Sequence, residues 1–148
     1  MIKVIVVDDE RFVRMGIVGE TDWASLGCEV VGEAENGLDA LELVHEKNPD
    51  LMICDIRMPK MNGLEMLKKL REEKNPVEVI FLTAYSEFSY AREALKLYAF
   101  DYLLKPFEDG ELENAILRAK ERIETDRGKQ RDTGLSRSVL DKAPVKEQ

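Results

Sequence analysis

The feature that most constrains the fold is a regular alternation of two kinds of segment. Five short apolar runs, residues 2–7 (IKVIVV), 29–33 (EVVGE), 51–54 (LMIC), 77–82 (VEVIFL) and 101–104 (DYLL), are separated by longer amphipathic stretches. The short runs are β-branched or aliphatic, and several adjoin Pro, Gly or Asn, which marks them as strands. The long stretches, about 10–20, 37–47, 63–74, 87–98 and 109–123, read as helices. In the second, Leu38, Leu41 and Val44 recur at helical spacing; in the third, Leu64, Leu67 and Leu70 do so after the Asn62-Gly63 punctuation. Five strand–helix repeats predict a doubly wound α/β fold around a parallel sheet. The 148 residues, 44% of them apolar, suffice for one domain with a real core.

In such folds ligands bind beyond the carboxyl ends of the strands. Those ends carry Asp8-Asp9-Glu10, Asp55, Thr83-Ala84 and Lys105-Pro106. Singly, each has a plain explanation: a capping Asp, a turn Thr, a solvated Lys. Capping does not account for all four together. The run VIVVDDE is the sharpest case, because it ends a core strand by crowding acids. Two unit charges ~4 Å apart repel by ~4 kcal/mol at an effective dielectric of 20, so something must offset them.

If the first and third strands are neighbours ~4.8 Å apart, Asp8 or Asp9 faces Asp55 across a gap suited to a hard divalent cation. Mg²⁺ takes oxygen ligands at ~2.1 Å and leaves positions for water and phosphoryl oxygens. Lys105, roughly 10 Å from Asp55 at the backbone, is long enough to bring an ammonium to a phosphoryl oxygen. Thr83 can donate a hydroxyl hydrogen bond to another. The set suits in-line phosphoryl transfer, with Asp55 as nucleophile and acceptor.

The charge balance limits the partners. There are 22 Lys and Arg against 30 Asp and Glu, a net charge of −8. Residues 124–148 hold six basic and five acidic side chains, which leaves −9 over residues 1–123. A domain this acidic is not expected to bind nucleic acid by itself, since phosphate neutralisation dominates such binding. Cys28 and Cys54 lie in apolar strand-like segments, match no zinc spacing, and read as buried thiols. No run approaches the ~18 apolar residues of a membrane span, and no signal-peptide pattern is seen; a soluble, cytoplasmic chain is expected. His45, in LVHEK, reads as a surface residue far from the rim.

The segments VVDDE, ICDIRMPKMNGLE, FLTAYSE and DYLLKPF resemble, in order and spacing, the receiver domain of two-component response regulators. The resemblance spans about residues 2–123 and implies a flavodoxin-like (βα)5 sheet of strand order 2-1-3-4-5. It implies that Asp55 accepts a phosphoryl group from a phosphohistidine of a sensor histidine kinase. Asp8 and Asp9 resemble the Mg²⁺-binding acidic pair, Asp9 as the more direct ligand, with Asp55 and the backbone carbonyl of Arg57 completing the protein ligands. Thr83 and Lys105 resemble the phosphoryl-sensing pair, and Tyr102 the aromatic switch coupled to Thr83. The Lys105–Pro106 bond is expected to be cis. The resemblance implies no enzyme beyond self-phosphorylation and slow self-dephosphorylation. Arg57 and Tyr85, two residues past Asp55 and Thr83, either shield the acyl phosphate from water or point to solvent. Glu10 is expected to do no more than open the first helix.

Output is expected through the fourth helix, fifth strand and fifth helix, about residues 87–123. There Phe88, Tyr90, Leu95, Leu97 and Tyr98 read mostly as core, with one or two left for a partner. Arg92, Glu93, Lys96 and Arg118 form either a solvated face or pairs across a homodimer. The stretch YSEFSYAREALKLYAFDYLLKPFE also resembles receivers joined to AraC-type helix-turn-helix domains, which implies transcription regulation. Residues 1–123 are expected to form the receiver, and 124–148 a polar linker or disordered tail. The alternatives are a stand-alone receiver acting through protein contacts, and a haloacid-dehalogenase-like phosphatase. The second is disfavoured because Asp8-Asp9-Glu10-Arg11-Phe12 lacks that family's DxDx(T/V) motif.

Overall fold

The computed structural model describes residues 1–84 and 88–133, and of Phe88, Ala91 and residues 129–133 the backbone alone. Ten elements alternate without interruption: β1 (Ile2–Val7), α1 (Arg11–Glu20), β2 (Cys28–Ala34), α2 (Gly37–Lys47), β3 (Leu51–Asp55), α3 (Gly63–Glu72), β4 (Glu78–Ala84), α4 (Phe88–Lys96), β5 (Asp101–Lys105) and α5 (Glu111–Thr133). The five strands form one parallel sheet of order β2-β1-β3-β4-β5, a flavodoxin-like α/β fold as expected.

Period-two alternation along the strands divides the core between the two faces. Ile5 and Val7 of β1 join Met52, Cys54 and Phe81 under α2, α3 and α4. Ile2, Val4 and Val6 join Ile53, Ile80 and Leu82 under α1 and α5. Because helices cover both faces, every residue of β3 is buried and the strand reads as a continuous apolar run. Full burial of a side chain such as Ile53 or Leu67 contributes about 1.5–3 kcal/mol. Among the described residues no helix is long and apolar enough to cross a membrane. Both cysteines are buried free thiols.

Local chemistry sets the helix starts. Asn36 accepts from the Asp39 amide to open α2, and Asn62 with Glu65 forms a reciprocal capping box at α3. Leu64, Leu67 and Leu70 are buried as their spacing predicts. Leu38 is not: α2 buries Gly37, Ala40 and Val44, and this turns Leu38 outward to 46% exposure.

Two further expectations need correction. Of the residues singled out there whose side chains are described, Tyr90, Leu95 and Tyr98 are exposed and Leu97 alone packs against the core. The expected helix end at 123 is passed, because α5 continues to Thr133. Arg122 pairs with Glu78 at 3.4 Å and Arg127 pairs with Asp50, so charged side chains rather than an apolar stripe hold this last part to the N-terminal ends of β3 and β4. Residues 134–148 lie outside the described residues.

Candidate functional site

The strand order reverses direction between β1 and β3, and this switch point is where α/β sheets open a cleft. Val7 pairs with Cys54 in register, so the next residues, Asp8 and Asp55, leave neighbouring strands side by side. On the far side, Thr83 and Ala84 pair with Leu104 and Lys105. Thr83 is therefore the penultimate residue of β4 rather than the first of the loop, and it is fully buried. Its hydroxyl donates to the Ala84 carbonyl at 3.3 Å.

The acids and the lysine converge. One carboxylate oxygen each from Asp8, Asp9 and Asp55 lies within 4.8 Å of the others, a hard donor set that could hold a metal ion. Asp8 is fully buried, Asp55 is buried and Asp9 is exposed. Asp8 Oδ1 accepts from the Glu10 amide at 2.9 Å, and Asp55 Oδ1 accepts from the Ile56 amide at 2.9 Å. Lys105 Nζ lies 3.2 Å from Asp8 Oδ2, 3.5 Å from Asp55 Oδ1 and 3.7 Å from Glu10 Oε1. Glu10 is the N-cap residue of α1 but makes no capping bond through its side chain, which turns to the lysine instead.

One ammonium does not balance these acids. Burial, and then the neighbouring Asp8 charge, pushes the Asp55 carboxyl up to about 7. Burial also raises Asp8, against the pull of the Glu10 amide and Lys105. Burial alone would lower Lys105, but Asp55 and Asp8 outweigh it and raise the lysine. An anionic, oxygen-rich, under-neutralised pocket is the electrostatic setting that a divalent cation fits.

The loop after β3 is shaped by close backbone approaches. The Gly63 amide donates to Ile56 O at 2.7 Å, and the Gly37 amide donates to Met61 O at 2.8 Å. A Cβ at position 63 would stand 2.7 Å from Asp55 O and 2.7 Å from the Phe81 ring, so this position requires glycine. Arg57 follows Asp55 by two residues, and its side chain is exposed. With Asp9, Met58, Asn62 and Tyr90 it lines an open depression of about 510 Å³ beside the acids. Tyr85 lies outside the described residues. On the other flank, Tyr102 of β5 is half-buried against the α2–α3–α4 core, and the Lys105–Pro106 peptide is cis.

Arg14 was not singled out from the sequence. Its guanidinium donates to the Asp8 carbonyl at 2.6 Å and to Glu33 Oε1 at 3.0 Å, so it braces the β1 end from α1. The available signal was a cation one helical turn past Glu10 on the helix that leaves the acidic corner. Arg118, a candidate for a dimer pair, bonds Asp101 of its own chain at 3.1 Å and lies over the Phe100 ring. His45 meets Glu73 at the surface, remote from the cluster.

Comparison with known proteins agrees with this geometry. A family model described as the response regulator receiver domain matches residues 4–117. The transcriptional regulatory protein BtsR of Salmonella typhimurium is 42% identical over 125 residues, covering 82% of this chain and 49% of BtsR. The transcriptional regulatory protein YesN of Bacillus subtilis is 39% identical over 116 residues, covering 78% of this chain and 32% of YesN. The chain thus spans about a third to a half of the length of these curated relatives. The solved REC domain of AraT, a response regulator from Geobacillus stearothermophilus, superposes with a TM-score of 0.79 at 42% identity, covering 84% of this chain and 97% of that one.

Proposed function

This chain belongs to the response regulator receiver family, and on that premise we propose that it is a phosphorylation-driven switch with Asp55 as acceptor. A carboxylate oxygen of Asp55 attacks the phosphorus of a phosphohistidine in line. The P–N bond breaks, the imidazole leaves with its electron pair, and an acyl phosphate remains on the protein. The reading rests above all on Lys105 Nζ, which is held between Asp8 and Asp55 where three carboxylate oxygens converge.

Each residue has a distinct task. Asp8, Asp9, Asp55 and the Arg57 carbonyl would hold Mg²⁺, which when bound would neutralise charge on the acceptor and on the phosphoryl oxygens. Asp55 attacks in its ionised form, which burial disfavours and added positive charge restores. Lys105 exchanges carboxylate partners for a phosphoryl oxygen. Thr83 turns its hydroxyl from the Ala84 carbonyl to another phosphoryl oxygen. Phosphorylation adds ~1.5–2 negative charges to the rim. Thr83 in β4 and Tyr102 in the adjacent β5 carry the resulting movement to the surface of α4, β5 and α5. Arg57, exposed beside the acids, shields the acyl phosphate from water.

The donor partner is a sensor histidine kinase. The relatives named as transcriptional regulators support a DNA-binding output domain in the whole regulator, reached through the segment after residue 123. The acidic receiver does not itself contact DNA. Its place is the cytoplasm, and the exposed α4–β5–α5 surface serves a homodimer. Beryllofluoride, which mimics an acyl phosphate, gives the test. With Mg²⁺, fluorine NMR is expected to show one bound species in the wild type and none in Asp55→Asn; equal binding by both would overturn the assignment.

A further inference from the structure

Arg71, near the end of α3, faces away from the acceptor site and holds three main-chain carbonyls. Its Nε donates to Leu97 O at 3.1 Å, Nη2 to Tyr98 O at 3.0 Å, and Nη1 to Asn75 O at 2.8 Å. Leu97 and Tyr98 form the turn from α4 into β5, and Asn75 lies in the loop from α3 into β4. One half-buried guanidinium therefore ties together three separate parts of the chain.

Apart from the packing of Leu97 and Ala99 and the main-chain bonds of the turn, little else holds this region. α4 has nine residues, too few to be stable alone in water. Among its described side chains only Ala94 is buried, whereas Ser89, Tyr90, Arg92, Glu93, Leu95 and Lys96 are exposed. At its end Tyr98 takes a left-handed backbone, φ 64°, with its ring 77% exposed, so ring burial does not compensate for the strain. Two of the carbonyls that Arg71 captures, those of Leu97 and Tyr98, stand at the negative end of the α4 dipole. The guanidinium spreads its donors over three nitrogens in a rigid plane, one for each of these carbonyls, whereas an ammonium's donors all radiate from a single atom. Directly after the turn, Phe100 N donates to Val79 O at 2.7 Å and β5 begins, carrying Tyr102 and Lys105.

We propose that Arg71 is a positioning residue of the switch: it pins the C-terminal end of α4 and the start of β5 to α3. The response to charging of Asp55 is thereby confined to the N-terminal end of α4. The anchor is a property of the uncharged protein; the confinement rests on the phosphorylation reading above. Phosphoryl chemistry at Asp55 does not depend on the Arg71 contacts.

Hydrogen exchange of the whole chain tests both parts. In the uncharged protein, the amides of residues 97–99 should exchange about 10-fold faster or more in Arg71→Gln and in Arg71→Lys. Amides of β1 and β3 should be unchanged in both variants, which shows that they fold. Wild-type exchange in Arg71→Lys would mean that charge alone suffices, and unchanged exchange in Arg71→Gln would mean that no anchor exists; either overturns the proposal. With Mg²⁺ and beryllofluoride, the wild-type response should lie at residues 88–92, and in the variants it should spread to 97–100. A wild-type response already spread to 97–100 overturns the confinement. Absence of bound beryllofluoride in the wild type would instead refute the acceptor reading and leave the uncharged comparison to decide the anchor.

Discussion

Lys105 Nζ stands 3.2 Å from Asp8 Oδ2, joining residues 97 apart in sequence across the two strands, β3 and β4, that separate β1 from β5. Asp8 is fully buried and the lysine side chain is 22% exposed, so the pair is largely out of water. Lys105→Met strands the buried carboxylate. In metal-free protein near neutral pH we predict a loss of about 3 kcal/mol, the low end for breaking a buried pair. Urea melts with and without Mg²⁺ check this: the cation should restore part of the loss, and an unchanged midpoint would contradict it.

The Asp55 carboxyl makes stability depend on pH. Asp55 is raised to about 7 in the folded protein from an ordinary value of 3.8. Between those values the folded state holds a proton that the unfolded chain has released. Stability therefore falls as pH rises from about 4 to about 7, and this contribution is flat on either side. At ~1.4 kcal/mol per pH unit the whole effect is about 4 kcal/mol. Asp8, also raised by burial, adds in the same direction. Urea midpoints of metal-free protein should drop between pH 5 and pH 8, and drop much less in Asp55→Asn. Mg²⁺ should flatten the wild-type curve.

Gly63→Ala puts a methyl group 2.7 Å from the Asp55 carbonyl and from the Phe81 ring. The backbone must move, at a cost of about 2 kcal/mol, and it moves the acceptor with it. Thermal melts and the rate of charging by phosphoramidate should both fall. A variant as stable and as fast as wild type would show that the approach is not tight.

Asn62→Ala removes one half of the α3 capping box at the edge of the depression beside Asp9. The expected cost is about 1 kcal/mol, read from urea melts. Asn62→Ser should recover most of it, because a hydroxyl can also accept from the Glu65 amide.

The fold was legible because the periods of the strands and helices are clean. β1 and α2 fall on their expected bounds, and β3 gains one residue, Asp55 itself. The acids at the strand ends could be read as one cluster once the sheet order was assumed, because neighbouring parallel strands deliver equivalent ends to one rim. Tertiary placement was not legible in the same way. Helical spacing gives a stripe but not its phase, so it does not show that α2 turns Ala40 rather than Leu38 to the core. Around α4, apolar composition suggested burial that the short helix does not provide for Tyr90 or Leu95. The last part of α5 was hidden for the opposite reason: it is polar, and it is held by Arg122 and Arg127 on acids distant in sequence. Arg14 and Arg71 bond mainly to carbonyls, which leave no trace in side-chain patterns.

Asp55 is expected to take a phosphoryl group in a site completed by Asp8, Asp9, Thr83 and Lys105. Intact mass measured after incubation with phosphoramidate decides this. The expected result is a gain of a single phosphoryl group that requires Mg²⁺, is lost at alkaline pH as an acyl phosphate is, and is absent in Asp55→Asn. The same gain in Asp55→Asn, or in wild type stripped of divalent cations, would contradict it.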